Sequence, residues 1–298
     1  MPKKKKDNGR KEALKDLAKR MIDLRTRLNG VDNSCLKRGL AILNDKRKDS
    51  IRFTGSCFRI GDKGSTRAYT GLTKVLPELF WPETASDPRK RSREEVSRRK
   101  NTEHYVPSFK QKGKKRCKGY GAKHGSKVHS EVCKFVRKIA AGKMIRTVSD
   151  KLDPCTVRII NLLATQSYFP IASEHPIYDE LSCVATAFDV IAIDVKRELV
   201  VGIEVKTGEE AEQYDEHPTD GRMRAPLNNV VNCPRNRHAT QLLGTLLIAK
   251  DRHGYQIDDG YVLRSCPKQQ NAQLLPLPEW AKDKTVHASV LSALRKRR

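Results

Sequence analysis

Two charged side chains lie on an otherwise apolar segment, Leu199–Lys206, and no other feature constrains the fold of this chain as strongly. The segment reads Leu-Val-Val-Gly-Ile-Glu-Val-Lys, and its branched apolar residues are typical of a buried β-strand. Because side chains alternate between the two faces of a strand, Glu204 and Lys206 share one face. An unpaired charge in a protein interior costs several kcal/mol, so the segment predicts a bonding partner or a metal ion beside these side chains.

A second apolar segment, Ala185–Ile193, lies just upstream and contains Asp189. The polar residues between the two segments are suited to a hairpin turn. Pairing of the two strands could therefore bring Asp189 beside Glu204 and Lys206. From these residues alone, an ion pair between Asp189 and Lys206 at a sheet edge, with Glu204 in solvent, is an equally weighted alternative.

Carboxylates a few ångströms apart form a site of hard oxygen ligands, which suits Mg²⁺ or Mn²⁺. The backbone carbonyl of Val205 could add a ligand. Such an ion lowers the pKa of a bound water and neutralises charge that develops on a phosphodiester. Lys206 would then position the water or stabilise that charge. Asp189, Glu204 and Lys206 are therefore candidate residues for phosphodiester hydrolysis.

Four sequence pieces, in the expected order, resemble the PD-(D/E)XK nuclease superfamily in its RecB-like and lambda-exonuclease-like branch. Asp189 and Glu204–Gly208 resemble the metal-site and E-x-K elements. Gly125–His129 resembles the G-x-x-x-H motif of an early helix, and Gln241–Thr245 resembles the downstream Q-x-x-x-Y motif. Thr245 stands where the family has a tyrosine, and Phe188 stands where many members have a proline. The resemblance covers roughly residues 119–265.

This resemblance implies a restriction-endonuclease-like core, a mixed β-sheet flanked by helices, that cleaves DNA with a divalent metal, more often as an exonuclease. It implies catalytic roles for Asp189, Glu204, Lys206 and Gln241, and Mg²⁺ or Mn²⁺ ligands at His129, Asp189, Glu204 and the carbonyl of Val205. Without the resemblance, His129 on an amphipathic helix would be read as a boundary residue. Members of this family often carry a glutamate at the position of Glu174, and a solvated loop carboxylate explains the residue equally well.

The chain is strongly basic, with 60 Lys and Arg against 35 Asp and Glu and a net charge of +25. Residues 1–130 contain 36 of the basic and 14 of the acidic residues, so the excess lies in the front of the chain. This distribution predicts DNA as a partner, although a solvated basic tail or an anionic membrane surface would also account for it. The nucleic-acid-binding residues predicted beside the G-x-x-x-H motif are Lys112, Lys114, Lys115, Arg116, Lys118, Lys123 and Lys127.

Other classes of protein are disfavoured by the sequence. No apolar run reaches the roughly 18 residues of a membrane span, and no signal for a lipid anchor is found, so no membrane partner is expected. The segments 61–66 and 110–127 lack P-loop spacing, so no ATP site is expected. No pair among the eight cysteines has C-x-x-C spacing, which argues against a zinc ribbon. Reduced thiols and a short lysine run near the start predict a nuclear or cytoplasmic protein.

The chain is predicted to be an α/β protein with two regions. Residues 1–118 form a basic, partly helical N-terminal extension, and residues 119–298 form the nuclease core. Periodicity predicts helices at 11–28, 35–43, 127–140, 153–166 and 237–250, and strands at 51–60, 168–178, 183–193, 199–206 and 255–264, with a long loop at 208–236.

Two functions remain open: a metal-dependent DNA nuclease of replication, recombination or repair, suited to a virus, and a non-catalytic basic DNA-binding or packaging protein on the same fold. An RNA nuclease would share the chemistry.

Overall fold

Eight strands form one mixed sheet with helices packed against it, as a computed structural model of the protein shows. The structure describes residues 3–53, 58–61, 67–82, 120–141, 152–207, 214, 221–267 and 269–297, with only the backbone of residues 3–14, 53 and 120–122. Within these ranges the predicted α/β class and mixed, helix-flanked sheet are confirmed.

The elements are numbered in chain order. The helices are α1 (Lys3–Leu28), α2 (Asn33–Leu43), α3 (Leu72–Phe80), α4 (Tyr120–Ala140), α5 (Pro154–Thr165), α6 (Pro234–His253) and α7 (Lys284–Arg295). The strands are β1 (Ile51–Phe53), β2 (Phe58–Ile60), β3 (Arg67–Gly71), β4 (Tyr168–Asp179), β5 (Val184–Asp194), β6 (Leu199–Lys206), β7 (Asp259–Arg264) and β8 (Gln273–Pro276). Short 3₁₀ helices span Lys46–Ser50 and Glu279–Lys282.

Strand β5 is the centre of the sheet. It pairs antiparallel with β4 along most of its length and antiparallel with β6 through Val190↔Ile203 to Asp194↔Leu199. Strand β6 runs parallel to β7, which pairs antiparallel with β8. The antiparallel strands β1, β2 and β3 join the beginning of β5 through a short parallel pairing. The middle of β5, which carries Asp189, and the end of β6, which carries Glu204 and Lys206, therefore lie inside the sheet, where neighbouring strands hold them in place.

Two predictions about elements were wrong in detail. The strand predicted at residues 51–60 is two short strands, β1 and β2, that pair antiparallel with Phe53 opposite Phe58. The strand predicted at 255–264 begins at Asp259, because α6 runs to His253 and ends at Gly254 in a left-handed conformation (φ 67°). Strand β8 and helix α7 were not predicted. Twelve residues of the long loop predicted at 208–236, namely 208–213 and 215–220, lie outside the described residues, and α6 begins earlier than predicted, at Pro234.

One hydrophobic core joins elements from both predicted regions of the chain. The apolar stripe of α1 buries Leu17, Met21 and Leu24, and α2 buries Ile42, in the same cluster as the central strands. The boundary predicted between residues 118 and 119 lies outside the described residues, so the division itself stays a prediction. The helices and strands on its two sides share one sheet and one core.

A partly buried polar contact ties the N-terminal helices to the end of α6. Asp45 caps the first 3₁₀ helix and accepts a hydrogen bond of 2.6 Å from the hydroxyl of Tyr255. Arg47 donates to the backbone carbonyls of Arg252 and His253 at 2.9 and 3.0 Å. Burial opposes the charge of Asp45, but the donors on Arg47 and Tyr255 outweigh it and hold the pKa of this carboxyl well below its usual range.

We expect Asp45→Asn to lower the free energy of unfolding by about 1–2 kcal/mol at pH 7. The pKa of Asp45 is lower in the folded chain than in the unfolded chain, so its contribution is complete above about pH 4 and is lost as the pH falls below that value. The difference between wild type and variant, measured by urea unfolding, should therefore shrink in acid. Asp49→Asn, an exposed aspartate of the same 3₁₀ helix, is the control. An unchanged difference at pH 3 would contradict the argument.

A pair of glycines lets α6 lie close to the sheet. Gly202 and Gly260 are register partners on β6 and β7. A Cβ at Gly202 would lie 2.8 Å from Cε1 of Phe188, a ring that is 1% exposed, and 3.2 Å from Leu246 of α6. A Cβ at Gly260 would lie 2.8 Å from Leu246. The helix that carries Gln241 therefore sits where it does because these two strand positions have no side chain.

Gly202→Ala should destabilise the protein by about 1–3 kcal/mol, because the buried ring of Phe188 has no room to retreat from the added methyl group. Gly30→Ala is the matched control, since its nearest contact would be an ordinary 3.5 Å. Chemical denaturation of both variants measures the effect. Equal stability of the two variants would show that the core at Gly202 yields more easily than its packing indicates.

Candidate functional site

Three potential metal ligands from three elements converge at one end of the sheet. His129 of α4, Glu174 of β4 and Asp189 of β5 each place a ligand atom within 4.8 Å of the others. His129 Nδ1 lies 3.4 Å from Asp189 Oδ1 and 3.9 Å from Glu174 Oε1. The carboxylate of Asp189 is 13% exposed and that of Glu174 is 43% exposed, so the group is open to solvent on the Glu174 side.

Local backbone features bring these side chains together. Gly125 lets the beginning of α4 approach the end of β6, since a Cβ there would lie 3.2 Å from Oγ1 of Thr207. One helical turn later, His129 faces the sheet. Glu174 adopts a left-handed backbone conformation (φ 49°), which is uncommon for a residue with a side chain. Such strained positions concentrate at functional sites, where surrounding structure holds them.

The peptide group of Val205 connects the site to β6 from both sides. Its N–H donates to Asp189 Oδ2 at 2.7 Å, and its carbonyl oxygen lies 3.0 Å from His129 Nε2. The prediction that strand pairing would bring Asp189 to β6 therefore describes the observed contact. The carbonyl of Val205, predicted as a metal ligand, faces the imidazole in this structure.

The environment of His129 favours positive charge. Burial opposes protonation, but the carboxylates of Asp189 and Glu174 outweigh it and raise the pKa of His129 to about 10. With Nε2–H donated to the carbonyl of Val205, the proton on Nδ1 faces the two carboxylates. The carboxylates of Asp189 and Glu174 therefore stabilise a positive charge beside them.

A second group, on β6 and α6, contains the other predicted catalytic residues. Lys206 Nζ donates to Glu204 Oε1 at 2.6 Å and to Gln241 Oε1 at 3.1 Å. Gln241 Nε2 in turn donates to Glu204 Oε1 at 2.6 Å. Glu204 is 2% exposed, so its charge is buried and is balanced by the amine. The three side chains form a closed triangle of hydrogen bonds.

Burial and the neighbouring Asp189 raise the pKa of Glu204, against the opposing effect of Lys206. Burial alone would lower the pKa of Lys206, but the carboxylates of Glu204 and Asp189 outweigh it and raise that pKa. Lys206 is therefore cationic at neutral pH. The influence of Asp189 on both side chains also shows that the two groups are within electrostatic reach of each other.

The predicted site residues thus fall into two adjoining groups that differ from the predicted ligand set. His129 and Asp189 lie with Glu174, whereas Glu204 lies outside this cluster and is engaged by Lys206 and Gln241. Glu174 is on a strand, not in a solvated loop. Thr245, which replaces the family's tyrosine, is buried and donates to the backbone carbonyl of Gln241 at 3.0 Å. It supports the helix rather than the site.

A cavity of about 570 Å³ opens beside His129 and Glu174. One wall is the outer face of α4, which contributes Ser126, Ser130, Lys134 and Arg137 to the lining. Lys134 and Arg137 are exposed, and hydroxyl and cationic groups of this kind bind phosphate oxygens. Their spacing from His129, five and eight residues along one helix, is a signal that the sequence analysis did not use.

The predicted nucleic-acid-binding residues are only partly covered by the structure. Lys112, Lys114, Lys115, Arg116 and Lys118 lie outside the described residues. Lys123 is exposed on α4. Lys127 lies 3.4 Å from Asp153 and 3.8 Å from Glu131, so neighbouring acids offset part of its charge.

Further polar residues near Lys206 were missed by sequence reasoning. The hydroxyl of Tyr214 lies 2.9 Å from Nδ1 of His238, and the guanidinium of Arg264 lies 4.0 Å from the centre of the Tyr214 ring. Burial, and then the charges of Lys206 and Arg264, lower the pKa of His238 well below its usual value. His238 is one helical turn before Gln241 on α6, which is the available sequence signal.

Another group with ligand-type side chains, His124, Asp153 and Cys155, has a structural explanation. Asp153 is the N-cap of α5 and accepts from the backbone N–H of Cys155 at 3.0 Å. Glu131 accepts from the N–H of Asp153 and the hydroxyl of Thr156. These contacts fasten α4 to the first turn of α5.

Comparison with known proteins gives no match, either among family models or among curated proteins. No helix in the described ranges combines the length and the apolar character of a membrane-spanning segment. Functional conclusions therefore rest on the chemistry of the side chains described above.

Lys206→Met should lower the free energy of unfolding by about 3 kcal/mol, because it leaves the carboxylate of Glu204 buried without its cation. The double variant Lys206→Met/Glu204→Gln should recover much of this loss, which urea unfolding in EDTA would measure as a non-additive cycle. Lys282→Met is the control, since its 2.6 Å contact with Glu279 is exposed and should contribute nothing measurable. Strict additivity of the two single changes would contradict a buried pair.

Proposed function

We propose that the protein is a metal-dependent nuclease that hydrolyses phosphodiester bonds in DNA, on a restriction-endonuclease-like core with a basic N-terminal extension. The observation that carries this proposal is the convergence of His129, Glu174 and Asp189 next to the partly buried cation of Lys206. A ligand cluster beside a fixed amine is the arrangement that hydrolysis of an anionic ester requires.

The donor set fits a divalent ion of the magnesium or manganese type. Two carboxylates supply hard oxygen ligands, and one imidazole is compatible with Mn²⁺. The carboxylates of Asp189 and Glu174 raise the pKa of His129, so the imidazole must lose its Nδ1 proton when it binds an ion. His129, Asp189 and Glu174 would hold the ion, with the carbonyl of Val205 beside them, whereas Glu204 would first have to exchange its bonds to Lys206 and Gln241. When bound, such an ion lowers the pKa of water and neutralises charge on a phosphate.

The protein's own residues would orient the reacting groups. The N–H of Val205 fixes one oxygen of Asp189, so the other faces His129. Glu204 and Gln241 hold the amine of Lys206, which can donate to a phosphate oxygen or to the attacking water. Because the amine is held before substrate arrives, little reorganisation is needed as charge develops.

DNA is the partner that the charge distribution favours. The excess of Lys and Arg in residues 1–130 provides non-specific affinity for phosphates, and Lys134 and Arg137 line the cavity beside the site. An exonuclease is preferred because the sequence resembles a largely exonucleolytic branch. The rival, a basic DNA-binding or packaging protein without catalysis, is favoured by the engagement of Glu204 with Lys206 and Gln241 rather than with the ligand cluster.

Purified protein should degrade DNA in Mg²⁺ or Mn²⁺ and lose this activity in EDTA. Asp189→Asn and Lys206→Met should each lower the rate by about 100-fold or more, since one removes a ligand and the other a fixed cation. Lys282→Met should retain wild-type activity. Gel assays with single-stranded DNA, double-stranded DNA and RNA would measure the rates and separate the substrates. Wild-type protein that binds DNA tightly but cleaves none of these substrates with either ion would favour the packaging function.

A further inference from the structure

A buried arginine next to the candidate site has a donor that is not satisfied. Arg264 ends β7 and is 4% exposed. Its Nη2 is buried and has no hydrogen-bond partner, and Arg264 forms no ion pair with any residue of the described ranges. Burying a guanidinium without an acid is unfavourable, so such a group is expected to have an anionic partner in the functional state.

The position of Arg264 relates this missing anion to the candidate site. Arg264 is the register partner of Lys206 on the adjacent parallel strand, so the two side chains leave the same face of the sheet. Glu204 neutralises Lys206 at 2.6 Å, but no described acid performs this role for Arg264. The charges of Lys206 and Arg264 both act on His238, which shows that they create one positive region beneath the beginning of α6.

The stacking on Tyr214 leaves Nη2 of the guanidinium without an acceptor. The ring covers one flat face of the group at 4.0 Å, whereas the N–H donors lie in the plane at its edge. A stack of this kind fixes the orientation of the plane and supplies no acceptor for Nη2. A phosphate, which presents several oxygens, matches the edge of a guanidinium in a bidentate manner.

We propose that Arg264, held in place by Tyr214, binds a phosphate of the nucleic-acid strand other than the one that is hydrolysed. This inference rests on the proposed nuclease function, because it treats Lys206 as the residue at the scissile phosphate. Arg264 is a positioning residue: it holds the strand so that the neighbouring phosphodiester lies at Lys206. The bound group is either an internal phosphate of the strand or a phosphate at its end.

The first experiment tests the anion site without nucleic acid. Thermal unfolding in EDTA, with and without inorganic phosphate at constant ionic strength, compares wild type with Arg264→Met. We expect phosphate to raise the Tm of wild type but not of the variant. Without phosphate, the variant should be at least as stable as wild type, because it removes an uncompensated buried charge. An equal rise of Tm in both proteins would overturn the proposal.

Arg197→Met is the matched control for this experiment. Arg197 also stacks on a tyrosine, with its guanidinium 5.8 Å from the ring centre of Tyr261, but it is paired with Asp194 at 2.7 Å. Its phosphate response should equal that of wild type, and its stability should fall because Asp194 loses a partner. Arg264→Lys keeps the charge and loses the planar fork, so it should show an intermediate response.

The second experiment identifies the source of the phosphate. Equilibrium binding in EDTA compares oligonucleotides of one sequence that carry a 5′-phosphate, a 3′-phosphate or hydroxyl groups at both ends. A loss of about tenfold or more in Arg264→Met for all three would assign an internal phosphate, and a loss confined to one phosphorylated oligonucleotide would assign that end. Equal affinities of wild type and variant for all three would overturn the proposal.

Kinetics then separate this inference from the nuclease function itself. In Mg²⁺, Arg264→Met should raise KM by a similar factor, with a smaller change in kcat, as expected for a residue that binds the strand away from the reacting bond. If this variant cleaves DNA with the KM of the wild type, the nuclease function stands and the phosphate site at Arg264 is refuted. If phosphate and oligonucleotide binding depend on Arg264 but the protein cleaves no substrate, the phosphate site stands and the nuclease function is refuted.

Discussion

The antiparallel pairing of β5 with β6 is the constraint on which the candidate site depends. Its register, with Val190 opposite Ile203, carries Asp189 to the point where its carboxylate accepts the N–H of Val205. The carbonyl of the same peptide faces His129, so helix α4 is tied to the pair of strands. A shift of one residue would turn Glu204 and Lys206 to the opposite face and separate them from Gln241. Fold and chemistry are therefore specified by one set of backbone contacts.

The site contains more charge than a hydrophobic core tolerates. Each negative group in it lies next to a positive group that balances its charge. The carboxylate of Glu204 is matched by the amine of Lys206, and the carboxylates near His129 are matched by a protonated imidazole. Glu204 and Lys206 both belong to β6, whereas His129, Glu174 and Asp189 come from α4, β4 and β5. The candidate ligand cluster is thus assembled by tertiary structure, and none of its members lies within ten residues of another along the chain.

Much of the fold and part of the site could be predicted from the sequence. Strand periodicity placed Glu204 and Lys206 on one face, whereas His129 and Gln241 were indicated only by the resemblance to the nuclease superfamily. The sequence left the role of Glu174 undecided, because its approach to His129 of α4 is a contact between distant parts of the chain that no local pattern shows. The burial of Arg264 could not be predicted either, since it depends on a tyrosine fifty positions earlier in the chain. Local patterns identify elements, whereas irregular backbone and distant contacts decide which polar groups meet.

The missing side chains at Gly202 and Gly260 set the separation between α6 and the sheet, and this spacing has a consequence for engineering the protein. Filling such gaps is a common route to thermostability, yet here it would push outward the helix that brings Gln241 to the amine of Lys206. A substitution that raises thermal stability would then lower the turnover rate, because it displaces α6 by a few tenths of an ångström without altering a catalytic group. Directed-evolution libraries should accordingly leave these two positions fixed.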